Sequence, residues 1–305
     1  MRLNKLALVF LLAAIGPEQL LAQTHKALTL EEALKRDING TEEQRTKQFP
    51  PHRIMGNIYY VGAETQASFL VVTSQGLIVI NSNFEKSVPE IKKSVEDLGF
   101  KFSDVKILLG SHAHADHQEG DALFKQMTGA QVMAMAEDVP LLEKITPGGK
   151  PHPIDKVLHH LDEVTLGNTT LVAHLAGGHT PGATVWTMTV QENGRNYNVV
   201  IMSGLGAQQG LVDKDGKPTK LADTLEASFK YSRALPCDVF LGSHAIFYSM
   251  KEKYETLKNN PSLISTPQNP FIDPQGYLNE LDNYYKIFQA RMEEQRKAAL
   301  AAAAK

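Results

Sequence analysis

The sequence predicts an α/β domain in which short β-strands alternate with amphipathic helices. Two observations indicate this fold class. Apolar runs of strand length recur along the chain, and segments such as 88–98 between them place apolar residues at helical spacing. Of the 305 residues, 42% are hydrophobic, which is ordinary for a globular core. The length therefore suits one large α/β domain or two modest ones.

The first half of the chain starts with a polar, helix-prone segment over 29–48 and continues as a β-hairpin or meander. The turn-forming Ser74-Gln75-Gly76 separates two of its strands. A Gly/Pro-rich loop over 146–153 is either the rim of a site or a plain surface connection. The elements expected here are strands 58–61, 68–72, 77–80 and 105–109, helices 88–98 and 120–127, and a strand and a helix within 131–144.

The second half repeats this style and ends in a long amphipathic helix over 278–300. Its apolar face predicts that it docks on the outside of the sheets, with a subunit interface as the alternative, so we expect a monomer. The apolar residues of this face are Leu278, Leu281, Tyr285, Phe288 and Met292. The expected strands are 169–173, 185–190, 198–202 and 238–241.

The N-terminus has the pattern of a secretory signal peptide. Arg2 and Lys5 precede an apolar run over 6–15, and Leu20-Leu21-Ala22 offers a cleavage site. The run is too short to span a bilayer, and a buried first helix is the alternative. We therefore expect residues 1–22 to direct export to the periplasm, leaving a single domain over 23–305.

Charge and cysteine usage narrow the classes of partner. The formal net charge is −3 with no long basic cluster, so neither nucleic acid nor an anionic membrane is an expected partner. The single cysteine, Cys237, cannot form an intrachain disulfide. It enters an apolar run, which favours a buried structural thiol over a nucleophile.

The segment 111–117, Ser-His-Ala-His-Ala-Asp-His, is the most informative motif because it concentrates metal ligands directly after a predicted strand. His112, His114, Asp116 and His117 are ligands that zinc accepts without any thiolate. His179 follows a strand within Gly-Gly-His-Thr-Pro-Gly at 177–182. The sequence Leu-Gly-Ser-His-Ala at 109–113 also recurs at 241–245 and adds His244, by duplication or by coincidence. We read the other six histidines as non-ligands, with His152 the least certain.

These motifs resemble the metallo-β-lactamase superfamily, from about residue 54 to the C-terminal helix. Within this superfamily the chain resembles subclass B3, on the basis of His117 and of the segments 233–239 and 269–274. The acid that bridges both metals in glyoxalase II-like and lactonase-like relatives is expected after the strand ending at Met202, where this chain has Ser-Gly-Leu-Gly. The resemblance implies a four-layer αβ/βα sandwich.

The resemblance also implies a function and a set of ligands. The function is hydrolysis of the β-lactam amide bond by a hydroxide that bridges two zinc ions per chain, conferring β-lactam resistance. Asp116 is expected both to bind metal and to orient the hydroxide. The implied ligands are His112, His114 and His179 for the first zinc and Asp116, His117 and His244 for the second.

Substrate contacts are less well specified, because the serines common in the subclass after the Met202 strand appear here as Gly204 and Gly206. The expected contacts with a substrate carboxylate are Ser203, Gln208, Gln209 and Thr180. Two other functions stay open: another zinc hydrolase of this fold, acting on a lactone, thioester or phosphoester, and a secreted zinc-binding protein without turnover. The second fits poorly, since a structural zinc site closes its coordination with a fourth protein ligand.

Overall fold

Two β-sheets form the middle of the molecule. The computed structural model describes residues 24–304. The first sheet contains β1 (His52–Met55), β2 (Ile58–Tyr60), β3 (Phe69–Thr73), β4 (Gly76–Ile80), β5 (Val105–Leu109), β6 (Gln131–Met135) and β7 (Lys156–Leu158). The second contains β8 (Glu163–Leu166), β9 (Thr169–Leu175), β10 (Thr184–Glu192), β11 (Arg195–Met202) and β12 (Val239–Gly242).

Strand direction changes within each sheet. In the first sheet the strands lie in chain order, with β1 to β4 antiparallel and β4 to β7 parallel. The expected meander is therefore confirmed, and Gly76 starts β4 with a φ of 132°, which favours glycine. The second sheet has the order β12-β11-β10-β9-β8, and its β11–β12 pair is parallel.

Helices cover the outer faces of the sheets. The shorter ones are α1 (Leu30–Lys35), α2 (Glu42–Thr46), α4 (Ala115–Gln118) and α6 (Val139–Leu142). The longer ones are α3 (Val88–Asp97), α5 (Asp121–Thr128), α7 (Lys220–Arg233), α8 (Met250–Asn259) and α9 (Pro274–Ala303). Both α1 and α2 begin with capping boxes, which explains how two such short polar helices form. None of the helices in this part of the chain has the length and hydropathy needed to cross a membrane.

The apolar residues divide between the two sides of the first sheet. Ile78 and Leu109 face the second sheet and pack in the main core with residues such as Trp186. Val79 and Leu108 face outward and pack in a second core with α3 and α5. This alternation along strands buried on both faces gives the layers that the resemblance implies.

The C-terminal helix α9 docks where its apolar spacing predicts. Leu281 and Phe288 are buried in the main core, and Leu278, Tyr285 and Met292 are partly buried against it. The apolar face of α9 therefore packs against the rest of the chain.

The helix α9 also holds the N-terminal segment. Glu280 is completely buried and accepts two hydrogen bonds from the guanidinium of Arg36, at 2.7 and 2.5 Å. The ring of His25 contacts the same carboxylate at 2.8 Å. The expected signal peptide lies outside the described residues.

Candidate metal centre

The segment after β5 delivers most of the expected ligands to one cavity of about 390 Å³. This cavity opens at the ends of β5 and β12, the two strands that carry the repeated Leu-Gly-Ser-His-Ala sequence. Six of the residues around it come from the predicted site and the rest from elsewhere in the chain. The lining residues are Ile38, Asn39, Arg45, Phe84, His112, His114, Ala115, Asp116, His179, Gly204, Gln208, His244, Phe247 and Tyr284.

The first group of ligands consists of His112, His114 and His179. One ring nitrogen of each lies within 4.8 Å of the others, a spacing that a single metal ion can bridge. The ring centroids are 4.6 to 4.8 Å apart. His112 is buried, His179 is half-buried and His114 is exposed, so this group lies at the cavity surface with one side open.

The second group consists of Asp116, His117 and His244. The Oδ2 atom of Asp116 lies 3.3 Å from Nε2 of His117 and 3.6 Å from Nε2 of His244. The two Nε2 atoms are themselves 3.2 Å apart. His112 also falls within 4.8 Å of Asp116 and His117, so the two groups are neighbours.

Hydrogen bonds orient two rings of the first group. The hydroxyl of Ser203 donates to the carbonyl oxygen of Ser111, at 3.1 Å, and therefore accepts from Nδ1 of His112, also at 3.1 Å. Nδ1 of His179 donates to the carbonyl oxygen of Gly206 at 2.8 Å. In each ring the proton is thus on Nδ1, which leaves the lone pair of Nε2 free for a metal.

Burial favours the neutral form of three of these imidazoles, the form that binds metal. It lowers the pKa of His112 and of His244 well below the ordinary 6.5, and it lowers that of His179 to about 4. Burial alone would raise the pKa of Asp116, but the adjacent imidazoles of His117 and His244 hold it below its usual range. The neutral imidazoles of His112, His179 and His244 therefore lie in one cluster with the carboxylate of Asp116.

Zinc fits these residues on an observation independent of the motif. Nε2 of His112 is buried and has no hydrogen-bond partner among residues 24–304. The Nε2 atoms of His117 and His244 face each other at 3.2 Å, so at most one proton can lie between them. Metal cations bound by these nitrogens would satisfy them. Imidazole and carboxylate are the donors that suit zinc.

Two of the residues expected to contact substrate are buried in the protein interior. Ser203 is completely buried and its hydroxyl is engaged with Ser111 and His112. Thr180 is only 3% exposed, and its hydroxyl donates to Asp138 at 2.8 Å. Neither side chain lines the cavity, so both act inside the protein, whereas Gln208 does line it.

Asp138 is a residue of the site that sequence reasoning missed. Its Oδ2 accepts from the backbone N–H of Ala113 at 2.8 Å, and its Oδ1 accepts from that of Gly182 at 2.6 Å. With the bond from Thr180, it ties the loop of His112 and His114 to the loop of His179. In the sequence it precedes a helix and has the appearance of an ordinary N-cap, although its side chain makes no capping bond.

The N-terminal segment was also missed as part of the site. Ile38 and Asn39, between α1 and α2, and Arg45 in α2 form one wall of the cavity. The loop 146–153, in contrast, supplies none of its lining. That loop packs against α5, where Nε2 of His152 lies 3.1 Å from Oδ2 of Asp121. It is a connection and not a rim.

The remaining histidines lie outside both groups, as expected. Cys237 is partly buried against the main core, and burial raises the pKa of its thiol.

Several solved structures similar to this chain are metallo-β-lactamases, although no family model matches it. The FEZ-1 metallo-β-lactamase from Legionella gormanii is 42% identical, with a TM-score of 0.74 over 82% of this chain and 98% of that one. BJP-1, a subclass B3 metallo-β-lactamase of Bradyrhizobium japonicum, is 34% identical, with a TM-score of 0.74 over 85% and 98%. LRA-12, a class B3 di-zinc enzyme from an Alaskan soil metagenome, is 29% identical, with a TM-score of 0.71 over 83% and 97%. This chain belongs to the subclass B3 metallo-β-lactamases.

Proposed function

We propose that this protein hydrolyses the amide bond of β-lactams with two zinc ions bound on the floor of the cavity, and thereby confers β-lactam resistance. One observation carries the proposal: two adjacent groups of three ligands share a cavity that is open on one side. The solved relatives described as metallo-β-lactamases, one of them as di-zinc, support the same reaction.

In this proposal His112, His114 and His179 hold the first zinc, and Asp116, His117 and His244 hold the second. Three protein ligands leave a position free for water or substrate, which distinguishes a catalytic site from a closed structural one. Zinc bound in this way lowers the pKa of water and polarises a carbonyl group.

The residues of the chain have separate tasks in the reaction. The neutral imidazoles keep the site cationic once it is loaded, which favours the negative charge that develops on the lactam. Asp116 is the anionic ligand, and its carboxylate accepts a hydrogen bond from the attacking water and orients it. Gln208 and Arg45 line the cavity, and their polar side chains are the candidates for contact with a substrate carboxylate.

The test is hydrolysis of a chromogenic cephalosporin and of a carbapenem, before and after treatment with a chelator and after zinc is restored. We expect cleavage that the chelator abolishes and zinc restores. Zinc-loaded protein that cleaves neither lactam would refute the proposal. Cleavage of a lactone, thioester or phosphoester in its place would identify another hydrolase of this fold.

A matched pair of histidine variants locates the second zinc. We expect His117→Ala to bind one zinc ion fewer by elemental analysis and to lose most of its activity. His159→Ala removes a histidine whose side chain is 71% exposed and lies outside both groups, so metal content and rate stay unchanged. Two zinc ions in His117→Ala would contradict the assignment.

We further propose that residues 1–22 are a signal peptide and that the mature chain is a periplasmic, monomeric single domain over 23–305. The charged and apolar pattern at the N-terminus supports export. The burial of Leu281 and Phe288 within the chain supports the monomer. N-terminal sequencing of protein from the periplasmic fraction, and its mass in solution, test both statements.

A further inference from the structure

Gln66 is a completely buried glutamine beside the second group of ligands. Its Nε2 lies 3.2 Å from Oδ2 of Asp116 and 3.4 Å from Oδ1 of Asn39. Both oxygens are acceptors, so the amide donates one N–H to each. Its Oε1 is buried and has no hydrogen-bond partner among residues 24–304. Burying an amide whose oxygen has no partner lowers the stability of the fold, so stability alone does not explain a glutamine at this position.

The backbone holds Gln66 firmly at this position. Residue 66 forms an antiparallel bridge with His244. On either side of it, the N–H of Ala67 donates to Ser243 at 3.0 Å and that of Ala245 donates to Thr65 at 2.9 Å. The side-chain amide therefore starts from a backbone already fixed to the strand end that carries a ligand of the second group.

The carbonyl oxygen of Gln66 provides a second anchor. It accepts from the N–H of Ala63 at 2.9 Å and from Nδ2 of Asn83 at 3.3 Å. The N–H of Asn83 in turn donates to the carbonyl oxygen of His117 at 3.0 Å. Gln66 is thus connected through its backbone to both histidines of the second group and through its side chain to the carboxylate.

We propose that Gln66 is a positioning residue that holds the carboxylate of Asp116 with Oδ2 towards His117 and His244. This inference rests on the proposed role of those three residues as ligands of the second zinc. A carboxylate can turn about its terminal bond, and an N–H that bonds one oxygen restrains that rotation. Since an oxygen has lone pairs for both an amide and a metal, the bond orients Asp116 without blocking it.

Gln66→Met tests the proposal because methionine has a similar length but no donor. We expect the affinity of the second site for zinc to fall by about 10- to 100-fold, the usual effect of removing such a partner of a ligand. The first site, which Gln66 does not contact, keeps its affinity. Competition with a chromophoric chelator measures both constants, and the ligand-field spectrum of the cobalt-loaded protein reports the geometry at the second site.

Stability of the zinc-free protein separates positioning from a structural role. Methionine removes the unpartnered Oε1 atom, so we expect the urea midpoint of Gln66→Met to be equal to or above that of the wild type. Gln48→Met is the control, because Gln48 makes the same kind of amide-to-carboxylate bond, to Oδ2 of Asp97 at 2.8 Å, and that carboxylate is not a metal ligand. It leaves both zinc affinities unchanged. If Gln66→Met does not fold, Gln66→Asn, whose amide is too short to reach Asp116, replaces it.

Two outcomes would overturn the proposal: unchanged zinc affinities and cobalt spectrum in the folded variant, or an equal loss at both sites with a lower urea midpoint. These measurements do not depend on turnover. If the wild type binds two zinc ions but cleaves no lactam, the proposed function is refuted. The zinc titrations would still decide whether Gln66 positions Asp116.

Discussion

Removing the carboxylate of Asp138 should loosen the first group of ligands without touching any of them. Asp138 is 2% exposed and accepts three hydrogen bonds, from Ala113 and Thr180 at 2.8 Å and from Gly182 at 2.6 Å. The first donor lies between His112 and His114, and the other two follow His179 closely. Asp138→Ala cuts the tie between the two loops.

The expected loss of stability follows from the hydrogen-bond donors that lose their acceptor. The backbone N–H groups of Ala113 and Gly182 are in buried residues and lose their acceptor, at about 2 kcal/mol each. We therefore expect Asp138→Ala to lower the free energy of unfolding by about 4 kcal/mol. Asp138→Asn should cost about half as much, because its NH₂ group must face at least one of these donors. Thr180→Val removes one donor and leaves no other donor without an acceptor, so we expect it to lower the free energy of unfolding by about 1 kcal/mol.

Urea unfolding of the zinc-free proteins measures this series, and chelator competition measures the affinity of the first site. The expected order of destabilisation is Asp138→Ala, then Asp138→Asn, then Thr180→Val. The zinc affinity of the first site should fall in the same order. An Asp138→Ala protein as stable as Thr180→Val, with unchanged zinc affinity, would refute the idea that this carboxylate joins the ligand loops.

Two further predictions test the site and the fold. A Cβ at Gly204 would lie 2.6 Å from Cδ2 of His179, so Gly204→Ala should weaken zinc binding at the first site. Gly206→Ala is the control, because a Cβ there makes only ordinary contacts and should leave the affinity unchanged. Equal zinc affinities in the two variants would contradict this prediction. Burial lowers the pKa of His52 to about 4, while Nδ1 donates to Pro50, so below pH 6.5 the unfolded chain binds a proton that the folded one does not. The free energy of unfolding therefore decreases by up to about 3 kcal/mol as the pH falls from 6.5 towards 4. Urea unfolding of zinc-free His52→Phe should show a correspondingly weaker dependence on pH than that of the wild type.

The ligands of the metal centre were predictable because their signal is local. Four donors follow one strand within 112–117, and His179 and His244 each lie in a short motif after another strand. Strand ends in an α/β fold bring such residues together, so the sequence pattern was enough to predict that they meet.

The surroundings of the ligands were not predictable because they depend on contacts between distant segments. Asp138 has the pattern of a helix N-cap, and Ser203 that of a polar residue at a strand end, until packing shows where each hydroxyl or carboxylate points. Nothing in the polar segment containing Ile38 and Arg45 indicates that it covers a cavity. Its position is set by α9, more than 240 residues later in the chain.

The contact of Arg36 and His25 with Glu280 has a consequence for biosynthesis. The wall of the cavity formed by the N-terminal segment is secured by an element more than 240 residues later in the chain. Closing so long a loop is slow, and domains that depend on it cannot be completed stepwise from the first residue onward. Nascent chains that lack α9 should therefore carry every metal ligand and yet an unfinished pocket.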